Sequence, residues 1–146
     1  MSGRSLLLLA VSLLLGSTAA AERDSDFMAE LVARTFFRAL VEGDPTTVAP
    51  LCARRVNLDG TWAEGETLLG RLRAISRRSR ELGLQLRRVV VIPYTEAVRR
   101  YGEPPLRLRQ AIARGGRVAL ARFNTLGAVA VLRRAGAFWK VIAVTD

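Results

Sequence analysis

Three apolar runs at the C-terminal end, residues 117–124, 127–134 and 138–145, constrain the fold of this chain more than any other stretch. Each is rich in Val, Ala, Leu, Ile or Phe and short enough for a strand. The gaps between them, Thr125-Leu126 and Ala135-Gly136-Ala137, are short enough for hairpin turns. The pattern predicts a three-stranded antiparallel meander. Neither face of it is polar. Val118 and Leu120 alternate with Ala119, Ala121 and Phe123, and Val129 and Val131 alternate with Ala128, Ala130 and Leu132. Phe138, Ile142 and Val144 alternate in turn with Trp139, Val141 and Ala143. A sheet apolar on both sides needs helices over one face. Over the other it needs a partner, or a bend of the sheet around its own cavity.

The preceding chain offers that cover. Residues 27–42 place Phe27, Leu31, Val32, Phe36, Leu40 and Val41 at helical spacing, with Glu30, Arg34 and Arg38 off the stripe. Asp26 is in position to cap this helix and Gly43 to stop it. Such a rod is roughly 24 Å long and crosses several strands. Asp44-Pro45 restarts a short helix that Pro50 limits. Residues 54–60 read as a short strand ending in an Asp59-Gly60 turn, and 61–65 as a loop or a second short strand. Residues 66–82 are again helical, with Leu68, Leu69, Leu72, Ile75, Ser76, Ser79 and Leu82 on one side, and Gly83 ends them. Residues 84–94 form the longest strand candidate, expected to pair with the meander. Residues 95–102 allow a short helix capped by Thr95, Glu103-Pro104-Pro105 is a break, and 106–114 are helix or irregular.

Residues 1–21 have the layout of a secretory signal. Arg4 supplies the positive start, residues 6–15 form an apolar run interrupted only by Ser12, and Ser17 to Ala21 are small. Cleavage after Ala21 would leave one domain, residues 22–146, in a secreted or periplasmic location. The run falls short of the ~20 apolar residues of a membrane span, so no span is expected after cleavage.

The formal charge of +10 invites thoughts of nucleic acid, but the 23 basic residues are nearly all arginines scattered along the chain. An electrostatic footprint for nucleic acid needs clustering on one face, so scattered arginines read as solvated surface. The chain has one cysteine, Cys52, and no histidine. An exported domain with one cysteine makes no internal disulfide, and its stability must come from its core. Without histidine, Ser-His-Asp and Cys-His catalysis and histidine-ligated metals are excluded, and no cofactor is implied.

The order helix, helix, strand, turn, helix, strand, meander resembles the nuclear transport factor 2-like superfamily, which includes ketosteroid isomerase-like and SnoaL-like polyketide cyclase-like proteins. The resemblance rests on residues 36–44 (Phe36 to Asp44), on Leu58-Asp59-Gly60 with Gly65 and the helix after it, and on Gly136 to Ile142 with Trp139 opening the last strand. It implies an α+β fold with N-terminal helices packed on a curved, mainly antiparallel sheet, a cone enclosing an apolar pocket, and pairing of two copies through the sheet. Residues 95–116 are longer and richer in proline than that pattern.

Catalytic members of the family place carboxylates or histidines inside the cone. Here Asp59 is the best remaining acid, at a strand end beside Trp62, and its simpler reading is a turn residue. Trp62 and Tyr94 are candidates to line a ligand pocket, with core packing as the alternative for each. Arg122 and Asn124 continue the face of Val118 and Leu120, either at the rim or into a cavity. Were Arg122 and Asp59 neighbours, they would anchor a carboxylate or carbonyl ligand. The first reading is therefore an exported, non-catalytic domain binding a small apolar ligand or a protein partner, as a homodimer. The alternative is an isomerase, dehydratase or cyclase using Asp59 as base.

Overall fold

The computed structural model describes residues 3–109, 111 and 115–146, with side chains from residue 21 onward. The fold is α+β, with N-terminal helices packed on an open six-stranded mixed sheet. The elements in chain order are α1 (Gly3–Glu42), α2 (Pro45–Leu51), β1 (Cys52–Leu58), β2 (Thr61–Glu64), α3 (Gly65–Glu81) and β3 (Leu86–Pro93). Then come α4 (Tyr94–Tyr101), α5 (Leu106–Arg109), β4 (Arg117–Phe123), β5 (Gly127–Ala135) and β6 (Phe138–Thr145). Among the described residues no helix is long and apolar enough to cross a membrane.

The expected meander is the sheet's centre. β4, β5 and β6 pair antiparallel in sequence, and β3 adds antiparallel to β4. The other edge is β2, which pairs antiparallel with β1, and β1 pairs parallel with β6, giving the order β2-β1-β6-β5-β4-β3. The β1–β2 hairpin closes on Asp59 and Gly60, both at positive φ (54° and 94°), between the paired Leu58 and Thr61. Asp-Gly in a two-residue loop favours this mirror-image turn because its twist matches that of the strands. Buried Asn57 reinforces it, its Oδ1 accepting from the Gly60 amide at 2.7 Å. Residues 61–64 are therefore a strand, paired to the end of β1. β3 is an edge strand, where Pro93 is tolerated at the last position.

α1 differs from expectation at its start. It runs unbroken from Gly3, so Asp26 lies within it and does not cap it. Nothing between residues 17 and 42 is glycine or proline, so no local signal stops the helix before Gly43. Its buried stripe is also rotated. Ala29, Ala33, Phe36, Phe37 and Leu40 are buried, whereas Phe27 and Leu31 are 64% and 44% exposed. The alanines let the helix backbone lie close to the sheet. Phe37 then stacks edge-on between Phe36 (5.3 Å) and Phe123 of β4 (6.0 Å). Near the other end of the α1–sheet contact, Arg117 of β4 donates to Asp26 at 2.8 Å and lies 5.4 Å over the Trp139 ring. α3 joins α1 through buried Ser76, whose hydroxyl donates to the Leu40 carbonyl at 2.5 Å.

The simple alternation expected in β6 fails at one residue. Leu132 pairs with Val141 and Val131 with Ala143, so Ile142 is an extra residue, a bulge that reverses facing along the strand. Trp139, Val141 and Val144 face the helices, while Ile142 and Ala143 face the other way. That second face is covered by the chain itself. Leu108 of α5 and Ala111 pack on Val131, Ile142 and Ala143, and Ala97 of α4 packs on Ile92 and Val118. α4 begins at Tyr94, one residue before the expected cap, and α5 ends at Arg109. The rest of the expected 106–114 element lies partly outside the described residues.

Candidate functional site

Two cavities flank the sheet. The larger, about 440 Å³, lies on the helix-covered face. Its walls are Phe37, Leu40 and Val41 of α1, Ala74, Ile75 and Leu82 along and just past α3, and Leu58, Phe123, Ala128 and Val144 of the sheet. The wall is apolar because the helix-facing residues that α1 and α3 cover here, Leu58, Phe123, Ala128 and Val144, carry no polar side-chain group. Polar groups in the lining are Asp59, Arg71, Thr145 and Asp146 near the β1–β2 turn and the end of β6, and Arg78 and Ser79 further along α3. Arg71 reaches from α3 to the β1–β2 hairpin, donating to the carbonyls of Leu58 (3.1 Å) and Thr61 (3.3 Å).

The second cavity, about 340 Å³, lies on the opposite face beneath α4 and Pro104-Pro105, lined by Tyr94, Ala97, Tyr101, Leu108, Val118 and Val129 among others. Thr145 and Asp146 line both cavities, so this end of the sheet is where the two approach each other.

Asp59 stands at that junction. Its Oδ1 accepts from the Thr145 hydroxyl at 2.7 Å and lies 3.3 Å from Arg107 Nε, and its side chain is 59% exposed. Arg107 also donates to the backbone carbonyl of Asp146 at 2.8 Å. The cluster ties β6, the β1–β2 turn and α5 together. A carboxylate so engaged and so wetted serves as a tether, and it is the arginine of α5 that reaches it, not Arg122.

The other candidates are dispersed. Tyr94 lines the second cavity, on the opposite face from the larger one. Trp62 is paired with Asn57 in the row facing away from buried Ala63, so it too points away from the α1 side, with the Arg55 guanidinium 5.4 Å over its ring. Arg122 is exposed at the sheet rim, opposite Arg88 of β3. Asn124 binds the turn after α3, accepting from the Gln85 amide and donating to the Gly83 carbonyl, both at 3.0 Å. Its role is to fix where β3 begins. The sequence reading passed over Arg71, Arg107 and Thr145. Arg107 and Arg71 carried no signal apart from many similar arginines, and Thr145 is an ordinary strand end.

Cys52 offers no nucleophile. It is buried, its thiol donates to the Val48 carbonyl at 3.4 Å, and burial pushes it up to about 12 despite the nearby positive charge of Lys140. Asp44, the cap of α2, is held below the usual carboxylate range by the Thr46 hydroxyl and then by the hydroxyl and amide of Thr47. Among the described residues no three of Cys, Asp or Glu converge as metal ligands. Comparison with protein-family models gives no match, and comparison with curated proteins gives none either.

Proposed function

We infer that this chain is an exported, non-catalytic binding domain of nuclear transport factor 2-like architecture whose larger cavity takes a small apolar ligand. The observation that carries the reading is the cavity itself, a mostly apolar chamber of about 440 Å³ between α1, α3 and the sheet with a few polar groups in its lining. A chamber of that size falls in the range of small-molecule sites, which are mostly apolar with a few converging polar groups. Arg71, in the lining beside the β1–β2 turn, suits a ligand whose head carries a carbonyl or carboxylate. The element order supports the family reading, and the signal-like residues 1–21 support export.

The catalytic alternative through Asp59 draws little support, since the carboxylate tethers Thr145 and Arg107 and is mostly in water. Homodimerisation belongs to the same reading. With α4 and α5 over much of the second face, Trp62 and Phe138, 36% and 67% exposed, are the places where that face remains open to a second copy.

Titration with N-phenyl-1-naphthylamine, an apolar probe that fluoresces out of water, tests the ligand reading. Saturable enhancement that Ala128→Phe abolishes is expected, and a probe response unchanged by that substitution would remove it. Light scattering after size exclusion tests pairing, and N-terminal sequencing of exported protein, expected to begin at Glu22, tests export.

A further inference from the structure

We propose that the groove between α3 and the α1–α2 turn is a binding site for a phosphoryl group. The groove, about 430 Å³, is lined by Arg73, Arg77 and Arg80 together with Gly43, Pro45 and Gly70. The three arginines stand at i, i+4 and i+7 of α3, which places them along one side of the helix. Some arginines of the chain, among them Arg34, Arg78, Arg100, Arg107 and Arg117, lie beside a carboxylate, and others, among them Arg87, Arg88 and Arg122, do not. Among the described residues none of Arg73, Arg77 and Arg80 has an acid within 4.0 Å. Glu42 and Asp44 flank the turn, but Asp44 spends its carboxylate on Thr46 and Thr47. Three guanidiniums facing one groove repel each other, and an anion seated among them turns that repulsion into attraction.

The glycines fit the same reading. Gly43 has φ +80°, and a Cβ there would sit 2.9 Å from Arg80 Cζ, so the guanidinium rests close against the turn at a position with no side chain. Gly70 leaves open space one turn before Arg73 and Ala74. Planar guanidiniums donate pairs of N–H groups that match phosphoryl oxygens, which selects phosphoryl over a simple halide. The groove is separate from the apolar chamber, although Ala74 touches both.

Two sources carry this chemistry, a soluble phosphorylated molecule and a phospholipid headgroup. The test uses the full domain, its Arg73→Gln/Arg77→Gln variant, and an Arg87→Gln/Arg88→Gln variant that loses the same charge elsewhere. Thermal unfolding is followed with pyrophosphate against sodium chloride of equal ionic strength, and co-sedimentation with vesicles of phosphatidylglycerol in phosphatidylcholine against phosphatidylcholine alone. Pyrophosphate at ~100-fold excess over its Kd should raise Tm by roughly 5 °C or more in the parent and the Arg87/Arg88 variant, but not in the Arg73/Arg77 variant. The same pattern confined to anionic vesicles assigns the site to a headgroup. No response to either probe, a response that survives in the Arg73/Arg77 variant, or equal loss in both variants overturns the proposal.

Discussion

Single side chains here do their work by engaging partners across long stretches of sequence. Ser76 reaches Leu40, Asn124 reaches Gly83 and Gln85, and Asp59 holds Thr145. Among the described residues no buried side-chain polar atom lacks a partner. Ser76→Ala leaves the Leu40 carbonyl without this donor, and about 1–3 kcal/mol should be lost in urea unfolding. Asp59→Asn keeps the turn and loses the ion pair. We expect under about 1 kcal/mol of destabilisation and unchanged binding of the apolar probe, where a catalytic or ligand-contacting acid would show a clear loss. Cys52 gives a pH signature. Its thiol ionises near 9.0 in an unfolded chain and at about 12 when folded. Between those values the unfolded chain has released the proton and the folded chain keeps it. Stability from this group is thus intact below pH 9 and falls as pH rises toward 12. Unfolding free energies from pH 8 to 11 should show that decline in the parent and a weaker one in Cys52→Ala. The turn-forming residues were readable in advance: Asp59-Gly60 is a hairpin signal wherever it falls, and Asp44-Pro45 is a helix start. The partners of Asp59 were not, because Thr145 and Arg107 are 86 and 48 positions away and nothing local points to them.

Elements were legible where the pattern is periodic and illegible where contact decides orientation. The three C-terminal strands stand at the expected positions because dense Val, Ala and Leu between short gaps admits little else. The bulge at Ile142 had no marker, since every residue around it is apolar and either facing satisfies the pattern. α1 shows the same limit. Phe27 and Leu31 fit the helical stripe as well as Ala29 and Ala33 do, and only the sheet's proximity selects the small pair. Two substitutions separate the registers. Phe37→Ala should cost about 3–5 kcal/mol, as it empties the space between Phe36 and Phe123. Phe27→Gln should change stability by no more than about 0.5 kcal/mol. Chemical denaturation of the two variants checks both, and a reversed order would mean that α1 lies rotated on the sheet.

At the scale of the molecule, the sheet is sandwiched between unequal layers. α1 and α3 cover one face and leave a chamber, and α4 and α5, tied by the Pro104-Pro105 segment, cover part of the other and leave a smaller one. Leu108, 2% exposed, is the main apolar plug of the second layer. Leu108→Asp should destabilise by roughly 2–5 kcal/mol and uncover Val131 and Ile142, so that the variant binds the apolar probe more strongly or self-associates, as fluorescence and light scattering would show. The sequence by itself determined that there would be a doubly apolar sheet and that it must be covered on both sides, because exposed apolar area is costly wherever it lies. It also determined the exclusion of histidine chemistry. Tertiary structure alone decided what does the covering. The second face is covered in part by the chain's own residues 94–109 and Ala111, β1 runs parallel beside β6, and Tyr94, Trp62 and Asp59 stand apart instead of sharing one pocket. The physical reason is that hydrophobic burial is non-directional: it sets how much surface must be hidden, and shape and connectivity choose the partner that hides it.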